Sequence, residues 1–231
     1  MFRNRIEAGL QLASKVEQYL AGIVPALQKS SIVIVGLPRG GVPVASELAR
    51  RLDTPLDVIV AKKLPFPNEP EYAIGAVCTG AITVLSPQIP KTLEWSEYVE
   101  KEKRNLLATV QRREDEFYRL SRRRRSSLEG KFVIIVDDGI ATGMTALAAI
   151  EAVKQRGARQ VILAAPVISK ESLEELRHHC DAVIAVHIPQ IFNSVGQYYN
   201  DFRPTTDNEV VRALSQSNDF DDCPGGLKSV S

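Results

Sequence analysis

Two adjacent acids, Asp137 and Asp138, end an apolar run and open a turn containing Gly139, Thr142, Gly143 and Thr145 (Val133 to Thr145, VIIVDDGIATGMT). A helical pattern follows at once. The spacing predicts a strand that delivers both carboxylates beside a helix N-terminus. Such a terminus gathers unpaired backbone N–H groups and the positive end of the helix dipole, which suits a phosphate monoester. Gly143 lets the backbone come close to that phosphate, and Thr142 and Thr145 add hydroxyl donors. The turn from Ala141 through Met144 to Thr145 is thus the expected phosphate cradle. Asp137 and Asp138 would lie one sugar-length away, where carboxylates accept hydrogen bonds from vicinal ribose hydroxyls. A Walker A loop needs a Gly-Lys-Ser/Thr ending, and the dinucleotide fingerprint needs three spaced glycines directly after a strand; neither is present. A buried strand with a solvated Asp-Asp turn explains the acids but not Thr-Gly-x-Thr.

The elements that must position this turn can be read on either side of it. Ile6, Leu10, Ala13, Val16, Leu20, Ile23, Val24 and Leu27 recur at helical spacing, predicting an amphipathic scaffold helix. Ser31 to Leu37 is a β-branched strand ending in Pro38-Arg39-Gly40-Gly41, with a helix from Val42 to Leu52. Pro55 to Leu64 reads as the next buried strand, closing a βαβ unit of right-handed crossover. Pro65, Pro67 and Pro70 predict an irregular loop from Leu64 to Glu71, because proline removes a ladder donor and restricts the residue before it. One or two short strands are expected over Tyr72 to Leu85. A long, polar, projecting helix is expected from Trp95 to about Arg125. Lys131 to Asp137, Met144 to Gln155, Gln160 to Val167, Glu171 to His178 and Ala182 to Ile188 then alternate as βαβαβ. The fold class is doubly wound α/β with a mainly parallel sheet. A last helix spans Asp207 to Leu214, with Asp207 a candidate N-cap. The expected organisation is one domain over 1–217, with a helical insertion at 95–130 and a disordered tail at 218–231.

Composition narrows the class of function. The 231 residues are 44% hydrophobic with a formal net charge of +1, which opposes a generally nucleic-acid-seeking surface. The N-terminus has no apolar signal region, and no apolar run reaches the length of a membrane span, so a cytoplasmic protein without membrane contact is expected. Three separated cysteines (Cys78, Cys180, Cys223) form no CxxC pair and suggest neither a disulfide framework nor a zinc knuckle.

The stretch VIIVDDGIATGMT resembles the thirteen-residue phosphoribosyl pyrophosphate signature of type I phosphoribosyltransferases. The resemblance extends from Phe2 to about Leu214 through FRNRIEAG, PRGG, KKLPFPNEPEYAIGAV and FNSVGQYYNDF, to a branch of predicted members whose acceptor is poorly defined. It implies phosphoribosyl pyrophosphate as donor, a small-molecule acceptor, and a homodimer. It makes Asp137 and Asp138 the catalytic pair and Ala141 to Thr145 the 5'-phosphate site. Pyrophosphate falls to Arg39, Gly40 and Gly41, the arginine being able to bind phosphate oxygens bidentately. Lys62 or Lys63 would also face pyrophosphate; strand alternation points them to opposite faces, and Lys62 is the slight preference. Read without the resemblance, PRGG is also a plain turn and the lysine pair a solvated strand end. Magnesium would bridge pyrophosphate and ribose oxygens with few protein ligands, Asp137 and Asp138 being candidates. The segment 189–206 would form a hood over the acceptor, with Phe192, Tyr198 and Tyr199 as stacking candidates, or alternatively as a cluster fixing the C-terminal segment to the core. Ala141 stands where hypoxanthine-guanine members place an aspartate, which argues against that specificity; adenine-type members also have alanine there.

Lys101 to Arg125 is the one local excess of basic residues, ending in Arg122-Arg123-Arg124-Arg125. A solvated helix face is one reading, and a cover over pyrophosphate is another. A third is a regulatory protein of this fold that binds phosphoribosyl pyrophosphate or a nucleotide and touches nucleic acid through the basic helix. No helix-turn-helix or RNA-recognition signature accompanies it.

Overall fold

A computed structural model describes residues 1–23, 29–67, 69–87, 89–90 and 92–217. The expected tail at 218–231, and Val24 and Leu27 of the first helical stripe, lie outside them. In chain order the elements are α1 (Arg5–Ile23), β1 (Ile32–Gly36), α2 (Gly41–Leu52), β2 (Leu56–Val58), β3 (Ala61–Phe66), β4 (Glu69–Cys78) and β5 (Ile82–Leu85). Then come α3 (Leu93–Ser121), β6 (Phe132–Val136), α4 (Met144–Gln155), β7 (Gln160–Val167), α5 (Lys170–Leu176), β8 (Ala182–His187) and α6 (Asp207–Ser215). Among the described residues no helix is long and apolar enough to cross a membrane.

The main sheet is parallel, in the order β2-β1-β6-β7-β8. Its central strands are continuous Val/Ile runs because helices cover both faces. Ile32, Ile34, Phe132, Ile134 and Val136 face one core with Leu12 of α1, Leu48 of α2 and Leu214 of α6. The alternating Val33, Val35, Val133 and Ile135 face a second core with α4, through Leu147, Ile150 and Val153. Strand β6 pairs beside β1 and not beyond β2, so the winding direction reverses between β1 and β6. In doubly wound sheets, ligands bind in the crevice at the carboxyl ends of the strands at this point.

The run Pro55 to Leu64 divides where a single strand was expected. Only Leu56–Val58 pairs with β1, which ends at Gly36 and offers no partner further on. The chain crosses by Ile59 and Val60 into a separate antiparallel sheet, β3-β4-β5. This also carries Lys62 and Lys63 out of the buried sheet. The prolines disturb this second sheet without replacing it by a loop, since β3 runs to Phe66 and β4 resumes at Glu69. The register slips on both sides of Pro65, as a missing ladder donor requires. The N-cap of α6 is Thr206 and not Asp207: its hydroxyl accepts from Glu209 N at 3.2 Å, and Glu209 Oε2 accepts from Thr206 N at 2.7 Å, a reciprocal capping box.

The long helix forms in one piece of 29 residues, closed by Arg122 in the left-handed region. Val99, Trp95 and Leu106 pack it on the second sheet, while Val110, Phe117 and Tyr118 enter the main core. Tyr118 donates its hydroxyl to Asp57 Oδ1, and Asp57 also accepts from Val58 N at 2.8 Å and Ser126 N at 3.0 Å. A fully buried Glu114 reaches Arg125, and burial pushes its carboxyl above the usual range. Arg125 folds back on this helix to pair with Glu114 and Asp115, while Arg123 donates to Ser217 O, beyond α6, at 2.9 Å.

Candidate functional site

At the β1/β6 reversal two loops face each other. Leu37 to Gly40 leaves β1 and enters α2 at Gly41, while Asp137 to Gly143 leaves β6 and enters α4 at Met144. Both helices thus point the positive ends of their dipoles at the crevice, although in α2 the first N–H groups are already taken, Gly41 N donating to Leu37 O at 3.0 Å and Val42 N to Arg39 O at 3.2 Å. Between the loops lies a cavity of about 270 Å3 lined by Arg5, Leu37 to Gly40, Ala61, Asp137, Asp138, Thr145, Pro204 and Thr205.

The loops touch so closely that glycine is required on the first. A Cβ on Gly41 would stand 2.6 Å from Val136 O and 2.8 Å from Asp137 Cα; one on Gly40 would stand 2.0 Å from Asp138 Oδ2. The Pro38–Arg39 peptide is cis. In the second loop Gly143 has φ +71°, a left-handed value that glycine adopts without a Cβ penalty. Ala141 O accepts from Ser169 Oγ at 2.8 Å and Ser172 Oγ at 2.7 Å, tying the turn to the start of α5. A trans peptide then aims the Thr142 N–H the opposite way, away from α5.

The carboxylates differ in their surroundings. Asp137 Oδ1 accepts from Asp138 N at 2.9 Å. Burial, and then the neighbouring Asp138 charge, push the Asp137 carboxyl well above its ordinary range. Asp138 is also raised by burial but opposed by Arg5, whose Nε and Nη2 both stand 2.7 Å from Oδ2. Of the two, Asp138 is therefore the readier to carry charge. Arg39 approaches Asp207 at 3.9 Å, and Arg113 of α3 pairs with the same carboxylate. Arg5 and Arg39 line the cavity beside Asp137 and Asp138, and Arg113 shares Asp207 with Arg39, so the cations of the crevice are matched by carboxylates, with the half-exposed Arg39 the least closely paired.

Arg39, Gly40, Asp137, Asp138 and Thr145 are brought together on one cavity. Gly41, Ala141, Thr142, Gly143 and Met144 are not in the cavity wall; Gly41 and Gly143 are buried, Met144 is half-buried, and Ala141 and Thr142 are exposed. Neither lysine is part of the cavity wall; Ala61 is, and alternation along β3 puts Lys63, not Lys62, on the face of Ala61. The hood aromatics divide. Phe192 and Tyr198 form a tilted pair with centroids 5.6 Å apart. Tyr199 is buried between Phe2 and Phe202 and donates its hydroxyl to Asp138 O at 2.6 Å. Its ring is therefore committed to holding the acid loop, the second of the two roles open to it.

Arg5, Pro204 and Thr205 escaped the sequence reading. Helical spacing marks the N-terminal segment as scaffold, and nothing local says that its first helical residue reaches an acid 133 positions away. Phe2 N donates to Tyr198 O at 2.7 Å, Asn200 N to Phe2 O at 2.8 Å, and Asp201 N to Arg3 O at 2.9 Å. This short pairing of the chain start with the hood is what delivers Arg5.

Comparison with known proteins agrees with this geometry. Residues 3–203 match the family model of the phosphoribosyl transferase domain. Over 218 residues the chain is 38% identical to a Mycobacterium tuberculosis protein, found in two strains, that carries the provisional name phosphoribosyl transferase; the match covers 94% of this chain and 47% of that protein. The chain spans about half the length of the curated relatives it matches. The crystal structure of TT1426 from Thermus thermophilus is 39% identical, with a TM-score of 0.76, over 94% of this chain and 99% of that one. AQ2163 from Aquifex aeolicus, at 14% identity, shares the fold with a TM-score of 0.52 over 92% and 86% of the two chains.

Proposed function

This chain belongs to the phosphoribosyl transferase family, and from that premise we propose that it transfers the 5-phosphoribosyl group of phosphoribosyl pyrophosphate to a nucleobase or similar nucleophile, releasing pyrophosphate. The observation that supports this most is the meeting of the PRGG turn, the Asp137-Asp138 pair and the N-terminus of α4 on one cavity. Each matches a part of the donor. The turn ending in Thr145 takes the 5'-phosphate on helix N–H groups and hydroxyls. Asp137 and Asp138 accept from the ribose hydroxyls. Arg39, with the backbone of Gly40, holds the pyrophosphate, Gly41 contributing only the close approach of the loops because its N–H donates to Leu37 O, and Lys63 is the lysine better placed to assist.

The donor set suits magnesium that arrives with the substrate. Among the described residues no group of three or more His, Cys, Asp or Glu side chains forms a protein cage. Two adjacent buried carboxyls, each raised by burial, are the kind of site a divalent ion stabilises, and magnesium commonly binds through one or two carboxylates plus substrate phosphates. When bound it would neutralise charge developing on pyrophosphate. The protein's own share is to orient the anomeric carbon, to neutralise the leaving group with Arg39, and to keep bulk water out. No covalent intermediate is required. At the position of Ala141 the side chain carries no acid, so protonation of the acceptor is not assigned to it.

The nucleic-acid reading has fewer arginines to draw on than the sequence offers, since Arg113, Arg123 and Arg125 have intramolecular partners, while Arg104, Arg112, Arg119, Arg122 and Arg124 stay exposed. The transferase reading is tested by Asp137→Asn combined with Asp138→Asn. The double variant should keep a wild-type circular dichroism spectrum and a single cooperative melting transition, shifted by the loss of the Arg5–Asp138 pair, while losing donor binding and turnover. Unchanged turnover would sink the site assignment.

A further inference from the structure

We propose that Arg5 is a positioning residue that sets sugar specificity: by holding one oxygen of Asp138 it fixes the other for a ribose hydroxyl, and so makes the site prefer ribose to 2-deoxyribose. The inference rests on the donor-site reading above.

The geometry restrains Arg5 on several sides. Its Nε and Nη2 both engage Asp138 Oδ2 at 2.7 Å, and neither takes Oδ1. Its Nη1 donates to Arg203 O at 2.8 Å. The guanidinium lies 4.0 Å over the Phe202 ring and 5.9 Å from that of Tyr199. Both side chains of the pair are nearly buried, with exposures of 11% and 13%. A guanidinium so held has little freedom to follow a ligand phosphate, unlike the half-exposed Arg39. What it does control is the direction of a carboxylate. Gly40 crowds the same oxygen, since a Cβ there would stand 2.0 Å from Oδ2 but 3.1 Å from Oδ1, and the Asp138 carbonyl is held by Tyr199. With one oxygen occupied, the carboxylate cannot rotate freely to meet a sugar of different shape, and a fixed acceptor rewards only a ligand that presents a hydroxyl to it. Leaving a buried charged acceptor without that partner is costly, which makes such a site discriminate strongly against the deoxy analogue.

Calorimetric titration of the wild-type chain, Arg5→Ala, Arg5→Lys and Arg5→Gln with ribose 5-phosphate and 2-deoxyribose 5-phosphate tests this, with melting curves as a check on folding. Wild type should prefer the ribose form by about tenfold or more, the effect of one hydrogen bond to a charged group. Arg5→Ala and Arg5→Gln should bring the preference below about threefold and weaken ribose 5-phosphate roughly 10–100-fold, the range seen when the partner that orients a metal ligand is removed. Arg5→Lys, which keeps the charge but not the fork, should restore only part of the preference. A residue that merely tethered the N-terminus would lower the melting temperature and leave the preference intact, and that result overturns the proposal alone. Full restoration by lysine also overturns it, since charge would then suffice without orientation. If wild type binds neither sugar phosphate nor phosphoribosyl pyrophosphate, the donor-site reading itself fails. Should Arg5→Ala not fold, the glutamine and lysine variants decide between the same outcomes.

Discussion

Replacing Gly40 with alanine puts a Cβ 2.0 Å from Asp138 Oδ2 and 2.6 Å from its Cγ, where ordinary contact begins at 3.4 Å. The carboxylate must therefore withdraw by about 1.4 Å, the gap between the first and last of those distances, or the start of α2 must move by as much. Either motion disturbs the 2.7 Å contacts of Asp138 Oδ2 with Arg5, because hydrogen bonds to nitrogen donors end near about 3.2 Å. Losing a hydrogen bond to a charged group costs about 1.5–3 kcal/mol, roughly 10–100-fold at about 1.36 kcal/mol per decade. Strain from an added methyl in a packed site adds about 1–3 kcal/mol of destabilisation, a fall of about 2–4 °C per kcal/mol in a chain of this size. Calorimetric titration of Gly40→Ala with phosphoribosyl pyrophosphate and magnesium should show affinity reduced about 10–100-fold, and a melting scan should show a folded protein. The outcome that refutes this reasoning is affinity within about threefold of wild type, roughly 0.7 kcal/mol, in a variant with an unchanged melting temperature. The close contact of PRGG with the acid loop would then have no functional weight.

Tyr199→Phe removes the hydroxyl that holds Asp138 O and should cost about 0.5–1.5 kcal/mol in urea denaturation, one ordinary hydrogen bond; no loss would mean that the acid loop stands without the hood. Tyr118→Phe deprives the buried Asp57 of a donor and should cost about 1–3 kcal/mol by the same measurement. Glu114 predicts a pH effect of definite sign. Burial raises its carboxyl above 4.5, so the folded chain keeps a proton that the unfolded chain has lost. Its contribution is therefore full below that value and is lost as pH rises through the folded midpoint. Glu114→Gln should remove this slope, and the difference between variant and wild-type unfolding midpoints should grow in favour of the variant from pH 4.5 upward. A difference constant with pH would contradict the assignment.

What could be read from the sequence was whatever lies within one strand-turn-helix unit. Asp137, Asp138 and Thr145 fall inside thirteen consecutive residues, and β-branched runs followed by turn chemistry place such residues without further information. The same holds for Arg39 and Gly40. The choice between Lys62 and Lys63 depended on where the second strand leaves the sheet. That point is set by the end of β1 at Gly36 and not by any residue in PLDVIVAKKL. Arg5 and Tyr199 depend on a pairing between opposite ends of the domain, Phe2 with Tyr198 and Asn200, which no local pattern encodes. Periodicity correctly makes the first helix a scaffold, yet its opening residue is aimed into the site. Thr206 likewise became the cap of α6 through a reciprocal bond with Glu209 that a short polar neighbour, Asp207, obscured.

Incubating the purified chain with phosphoribosyl pyrophosphate, magnesium and a panel of purine, pyrimidine and pyridine bases, followed by mass spectrometry, tests the transferase most directly. Base-dependent formation of a nucleoside monophosphate, with one pyrophosphate released for each and none formed by the Asp137→Asn/Asp138→Asn variant, is the predicted result. Donor bound but recovered intact with every base would contradict it.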